Sequence, residues 1–143
     1  MFSRSTEYAL RAVMYVAKQT DAGKYPGVEE IAKATGSPKS FTAKVLQTLS
    51  RDGSIISSFK GPGGGFFLVK NAGKKNLKSI LKVMGEEKIF TKCLLGVKNC
   101  TDENPCPLHQ QYAPSRNAMN LLFEKSTISN MVDKLEGGKV RLR

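Results

Sequence analysis

Four glycines and a proline crowd into the six residues Lys60–Gly61–Pro62–Gly63–Gly64–Gly65. No helix runs through such a stretch, because glycine loses the most backbone entropy on ordering and proline lacks the N–H a helix needs. Short runs rich in Ile and Phe flank it at 54–59 and 66–69. Two β-prone runs joined by a glycine-rich turn predict an antiparallel hairpin. The remaining periodic segments read as helices, so the expected fold class is mainly α with a single small β-hairpin.

The helices before the hairpin decide what the hairpin is. Residues 4–19 carry Ala9, Leu10, Val13, Met14, Val16 and Ala17 on one stripe, with Arg4, Glu7, Arg11 and Lys18 mostly off it. After the turn-rich 21–27, a short helix turns Val28, Ile31 and Ala32 inward and keeps Glu29 and Glu30 in its first turn, where the helix dipole favours acids. Thr35–Gly36 ends it. Ser37 is the expected N-cap of a third helix and Pro38 its first residue, with Phe41, Val45, Leu46 and Leu49 as the apolar face. Two helices across a tight turn, followed by a hairpin, predict a winged helix-turn-helix.

Past the wing, Asn76–Met84 is amphipathic through Leu77, Ile80, Leu81 and Met84. Pro107 is expected to open a long helix bearing Leu108, Tyr112, Met119, Leu122 and Phe123, which Pro114 should kink or delay. Ser126–Thr127 reads as the cap of a last short helix with Ile128, Met131, Val132 and Leu135 inward. The predicted organisation is a DNA-binding domain over 1–85, a cysteine-rich loop over 86–109, a dimerisation helix and short helix over 110–136, and a frayed tail over 137–143.

Charge points to the partner. The chain carries +11, and it is unevenly spread: residues 1–85 hold 14 Lys/Arg against 5 Asp/Glu, and residues 86–143 hold 9 against 7. A basic half of this kind fits a polyanion such as double-stranded DNA. No stretch approaches the roughly 18 apolar residues that span a bilayer. Charges at Arg4, Glu7, Arg11 and Lys18 interrupt the N-terminal segment as a signal peptide. The expected setting is cytoplasmic, with no membrane partner, where thiols stay reduced.

All three cysteines and the single histidine lie within Cys93, Cys100, Cys106 and His109, spaced Cys-x6-Cys-x5-Cys-x2-His in a loop rich in Gly, Asn, Asp and Pro. Soft ligands at this density suit a metal ion or iron–sulfur cluster. The same thiols could instead form a reversible disulfide. One histidine, no nucleophile elbow and no phosphate loop with its lysine argue against an enzyme.

Taken together, the wing Ser57–Leu68, the opening Tyr8–Ala9–Leu10–Arg11–Ala12 and the cysteine–histidine loop resemble the Rrf-type winged-helix regulators, the group that includes iron–sulfur sensors of the IscR and NsrR kind. The resemblance spans essentially the whole chain. It implies a homodimer built by the long C-terminal helices, a near-palindromic operator, and a cluster, usually [2Fe–2S], held by the three cysteines and one further ligand. His109 matches that further position, with Glu7 of a partner subunit as the competitor. The first cysteine spacing is one residue longer than in the nearest members. Thr42, Ala43 and Lys44 stand where the resemblance implies a glutamate presented to bases in some regulators of the group, so operator preference does not carry over.

On this reading Lys39, Ser40, Thr42 and Lys44 face the major groove and Ser37 offers the helix N-terminus to a phosphate. Lys60, with the backbone of Gly61, Gly63 and Gly64, takes phosphate or minor groove, and Arg51 a flanking phosphate. Alternatives left open are a structural zinc, a metal-free thiol switch, and a winged helix that binds protein instead of DNA.

Overall fold

The computed structural model describes residues 1–138 and 140–143; Lys139, in the expected tail, lies outside them. Six α-helices and one two-stranded sheet follow in the order α1 (Arg4–Asp21), α2 (Val28–Thr35), α3 (Lys39–Asp52), β1 (Ile56–Phe59), β2 (Gly65–Leu68), α4 (Leu77–Val83), α5 (His109–Lys125) and α6 (Ile128–Glu136). Single 3₁₀ turns at Ala72–Lys74 and Glu87–Phe90 join them. The fold class expected from the sequence is the one observed.

Local chemistry sets the ends. Ser3 Oγ caps α1 by accepting from Thr6 N–H at 3.2 Å, and Thr127 caps α6 by accepting from Asn130 N–H at 3.1 Å. Gly36 and Gly53 stop α2 and α3 in the left-handed region, at φ 63° and 74°. The hairpin pairs Ile56 with Leu68 and Phe59 with Gly65.

α1 is the hub. Its buried face, Ala9, Ala12, Val13, Val16 and Ala17, meets Leu46 and Leu49 of α3, Ile80 and Leu81 of α4, and Ile128 and Val132 of α6 in one core. Backbone bonds from Leu77 N–H to Ser126 O (2.9 Å) and Ile128 N–H to Lys75 O (3.0 Å) join the starts of α4 and α6. None of the described helices is long and apolar enough to cross a membrane.

Several local expectations change. α3 starts at Lys39, with Pro38 rather than Ser37 at the cap; Ser37 is buried, its Oγ 3.1 Å from the Thr35 hydroxyl that donates to it. Within α3 the inward stripe is Thr42, Val45, Leu46 and Leu49, and Phe41 is 47% exposed. The swap follows from helical spacing. Thr42 stands three, four and seven residues before the other three, and its hydroxyl is satisfied inside by the Pro38 carbonyl at 3.0 Å.

α5 begins at His109, and Pro114 lies inside it. The missing proline N–H leaves one carbonyl of the preceding turn unbonded without ending the helix. Phe123, expected to await a second subunit, is buried within its own chain between the rings of Phe2 (centroids 5.3 Å apart) and Phe90 (5.4 Å).

Candidate functional site

The cysteine loop folds into a small cage at the start of α5. Gly96, at φ 69°, turns the chain after Cys93, with its N–H on the Cys93 carbonyl at 3.0 Å. Thr101 and Asn104 close a second turn through paired backbone bonds of 3.2 and 3.1 Å. These turns bring the sulfurs of Cys93, Cys100 and Cys106 within 4.8 Å of one another, with Cys93 and Cys106 3.5 Å apart.

His109 completes the cage from the first residue of α5. Its ring is buried, with Nδ1 3.2 Å from Cys100 Sγ and Nε2 2.8 Å from Asp102 Oδ1. A carboxylate only accepts, so Nε2 carries the proton in that contact. The other ring nitrogen, Nδ1, is the one turned toward Cys100 Sγ. A carboxylate behind a histidine is the usual way a ligating imidazole is oriented. Glu7 lies exposed in the first turn of α1, outside the sulfur group of its own chain.

The thiols are not equivalent. Burial works against a charged Cys93, but the N–H groups of Val97 and Leu95 and the thiols of Cys106 and Cys100 outweigh it and pull its pKa down to about 7. Cys100 moves the other way. The Cys106 N–H (3.3 Å) favours its thiolate, yet burial and the neighbouring sulfurs Cys106 and Cys93 push it up. Once one sulfur is ionised, the next resists. Three soft donors around one point, with an imidazole against one of them, fit a metal ion or an iron–sulfur cluster.

The cage is tied to the helical body by residues with no signal in the sequence. Arg116 of α5 donates from Nη1 to the carbonyls of Thr91 (3.3 Å) and Lys92 (3.4 Å), just before Cys93. Phe90 is buried on Phe123. Glu86 receives the Ser3 N–H at 2.8 Å and the Ser3 hydroxyl at 3.0 Å, joining the start of this segment to the cap of α1. Burial opposes charge on Glu86, but the hydroxyls of Thr6 and Ser3 and the Ser3 N–H hold its carboxyl below the usual range.

Of the residues expected to meet a polyanion, Lys39, Ser40, Lys44, Arg51, Lys60, Gly61 and Gly63 are exposed. Lys39 forms a surface ion pair with Glu29, whose carboxyl that hydrogen bond and charge hold below its usual range. Such pairs exchange partners readily. Ser37 and Thr42 are buried and leave the contacting set. Gly64 also departs from expectation: its N–H is spent on the Gly61 carbonyl at 2.9 Å, and a Cβ there would stand 2.4 Å from Phe59 O. Its glycine serves the turn itself. Phe41 and Gln47 join Ser40, Ala43 and Lys44 in lining one depression on the outer face of α3. The sequence reading had assigned Phe41 to the core.

Comparison with known proteins shows the family of the chain. Residues 2–134 match the family model Rrf2, described as an iron-dependent transcriptional regulator. A protein of Aquifex aeolicus (strain VF5) that carries the name of an HTH-type transcriptional regulator is 34% identical over 135 residues, covering 93% of this chain and 92% of its own. The HTH-type transcriptional regulator IscR of Citrobacter koseri is 26% identical over 129 residues, 90% of this chain and 77% of that one. In fold, the chain is similar to CymR (YrzC), the global cysteine regulator of B. subtilis, with a TM-score of 0.74 at 19% identity over 94% of this chain and 97% of that one. These relatives are transcriptional regulators, not enzymes. The chain belongs to the Rrf2 family of transcriptional regulators.

Proposed function

We propose that the chain acts as a homodimeric regulator whose affinity for a near-palindromic DNA operator is set by an iron–sulfur cluster, of the [2Fe–2S] type, held by Cys93, Cys100, Cys106 and His109. The observation that carries this reading is the cage itself: three sulfurs within 4.8 Å of one another, with a ring nitrogen of His109 3.2 Å from that of Cys100. When bound, the cluster supplies a centre that reacts with oxidants or nitric oxide.

The chain's own residues pass on the state of the loop. Ordering of 93–109 fixes the N-terminus of α5 through His109, and Arg116 and Phe90 hold the loop's other end against the same helix. Glu86 links this unit to α1, whose buried face packs on α3. A change in the loop therefore reaches the helix that enters the groove without crossing a flexible linker. Lys39, Ser40 and Lys44 address the major groove, and Lys60, Gly61, Gly63 and Arg51 the phosphates. Leu121 and Leu122, 49% and 60% exposed on α5, are the apolar surface a second copy would cover.

One observation favours a second reading. Sulfurs on a single tetrahedral ion with bonds of about 2.3 Å sit roughly 3.8 Å apart, close to the spacing of this cage. A structural zinc is therefore the alternative. The deciding experiment is the visible spectrum of protein purified without oxygen, with iron, sulfide and zinc assayed on the same sample. Absorbance between 400 and 500 nm with matched iron and sulfide supports the cluster. A colourless zinc protein supports the second reading, and a metal-free one leaves a thiol switch. Operator affinity across a salt series tests the DNA half: Lys60→Ala should bind more weakly with a shallower salt slope.

A further inference from the structure

Phe41 is a large apolar side chain on the outer face of α3, 47% exposed. It is not loose. Its ring meets Tyr8 edge-on at 6.0 Å, and Tyr8 is buried beneath the Arg11 guanidinium, 5.0 Å from the ring centre. Arg11 in turn donates to the Thr35 carbonyl at 2.8 Å, at the end of α2. α1 thus braces Phe41 from behind through Tyr8, and leaves its front open.

Around that front stand Ser40, Ala43, Lys44 and Gln47. Most of the exposed lining is apolar, but it is small, and Ser40, Lys44 and Gln47 set hydrogen-bonding and cationic groups beside Phe41 and Ala43. A protein partner seeks a larger continuous apolar patch than this. The DNA major groove matches it better. There the single apolar landmark is the thymine C5-methyl, set among hydrogen-bonding edges that serine, lysine and glutamine can address.

We propose that Phe41 is a specificity-determining residue that packs on a thymine methyl, fixing an A·T pair at one position of each half-site. The proposal rests on the reading of α3 as the groove-entering helix. It adds to that reading a residue that selects thymine by its methyl group.

The test uses full-length protein purified without oxygen and a randomised duplex library. The enriched duplex is then remade with each thymine replaced singly by deoxyuridine, which removes only the methyl. Burial of one methyl corresponds to about a fourfold change in affinity. One thymine per half-site should show that loss with the wild type. Phe41→Ala should bind the same duplex more weakly, become indifferent to deoxyuridine at that position, and retain the wild-type salt slope. Phe41→Leu, which keeps an apolar side chain, should retain part of the methyl dependence.

Methyl independence of the wild type at every thymine overturns the proposal. So does undiminished methyl dependence in Phe41→Ala, which would assign the contact to another group such as Ala43. If the wild type enriches no duplex even at low salt, the placement of α3 in a groove fails, and this proposal with it.

Discussion

Replacing Gly65 by alanine should detach the wing while leaving the helical body folded. Gly65 opens β2, and a Cβ built on it falls 2.2 Å from Tyr25 O and 2.8 Å from Pro26 O, where ordinary contact begins near 3.4 Å. Both obstacles are backbone atoms and cannot swing aside, so the strand or the 25–26 turn must move by about 1 Å. That movement strains the Phe66 N–H bond to Pro26 O, 2.9 Å long. Overpacking of this kind together with one weakened hydrogen bond costs about 2–4 kcal/mol. At roughly 3–4 °C per kcal/mol for a chain of this size, the melting temperature should fall by about 6–15 °C.

The assay is thermal unfolding followed by far-ultraviolet circular dichroism at one fixed protein concentration, since dimerisation would make the midpoint concentration-dependent. Tyrosine emission, compared with a Tyr25→Phe background to isolate the wing, gives a local readout, because Tyr25, one of the four tyrosines, packs on Phe59 and Phe67 at 4.9 and 6.1 Å. Gly137→Ala is the control: its φ is −67° and a Cβ would meet nothing closer than 3.8 Å. An unchanged midpoint in Gly65→Ala, or an equal fall in Gly137→Ala, would refute the reasoning from backbone contact.

Three further outcomes are expected. Phe90→Ala empties a buried site between Phe123 and the core, so it should cost about 3–5 kcal/mol in urea unfolding and reduce the metal or iron retained on purification; wild-type retention would count against Phe90 as the loop's anchor. Glu86→Gln should lose about 1 kcal/mol near neutral pH. The folded carboxyl titrates below its ordinary 4.5, so its contribution is present above 4.5 and fades as pH falls; the gap between variant and wild type should therefore narrow in acid, and a gap that widens there would reverse the sign. In metal-free protein, iodoacetamide should label Cys93 with a midpoint about pH 7 while Cys100 needs a higher pH; coincident profiles, read by peptide mass spectrometry, would show that the N–H groups of Val97 and Leu95 do not select one thiol.

Much of this molecule was legible before its structure. The glycine-rich tip with its flanking apolar runs located the hairpin, the helical stripes located α1 to α4 and α6, and the cysteine–histidine spacing located the cage. These are local signals: periodicity, turn chemistry and ligand spacing are all fixed by residues close in the chain. Where two residues compete for one inward position, periodicity alone does not choose. Phe41 looked like core and Thr42 like surface until the start of α3 set the phase and the Pro38 carbonyl satisfied the threonine hydroxyl. Ser37 read as a cap for the same reason, because the sequence does not say which of two adjacent residues leaves the helix.

What only tertiary structure decided is how distant segments meet. Asp102 behind His109, Arg116 under Thr91 and Lys92, and Glu86 on the cap of α1 are contacts across 7, about 25 and 83 positions. Gly64 and Gly65 look alike in the sequence, yet one is required by its own turn and the other by the passing backbone of Tyr25 and Pro26. The sequence by itself determined the elements and the loop that gathers the three cysteines, because these depend on local geometry. Their couplings depend on which faces the packed core brings together, and the hydrophobic effect that drives that packing is non-directional, so it leaves no spacing in the chain to read.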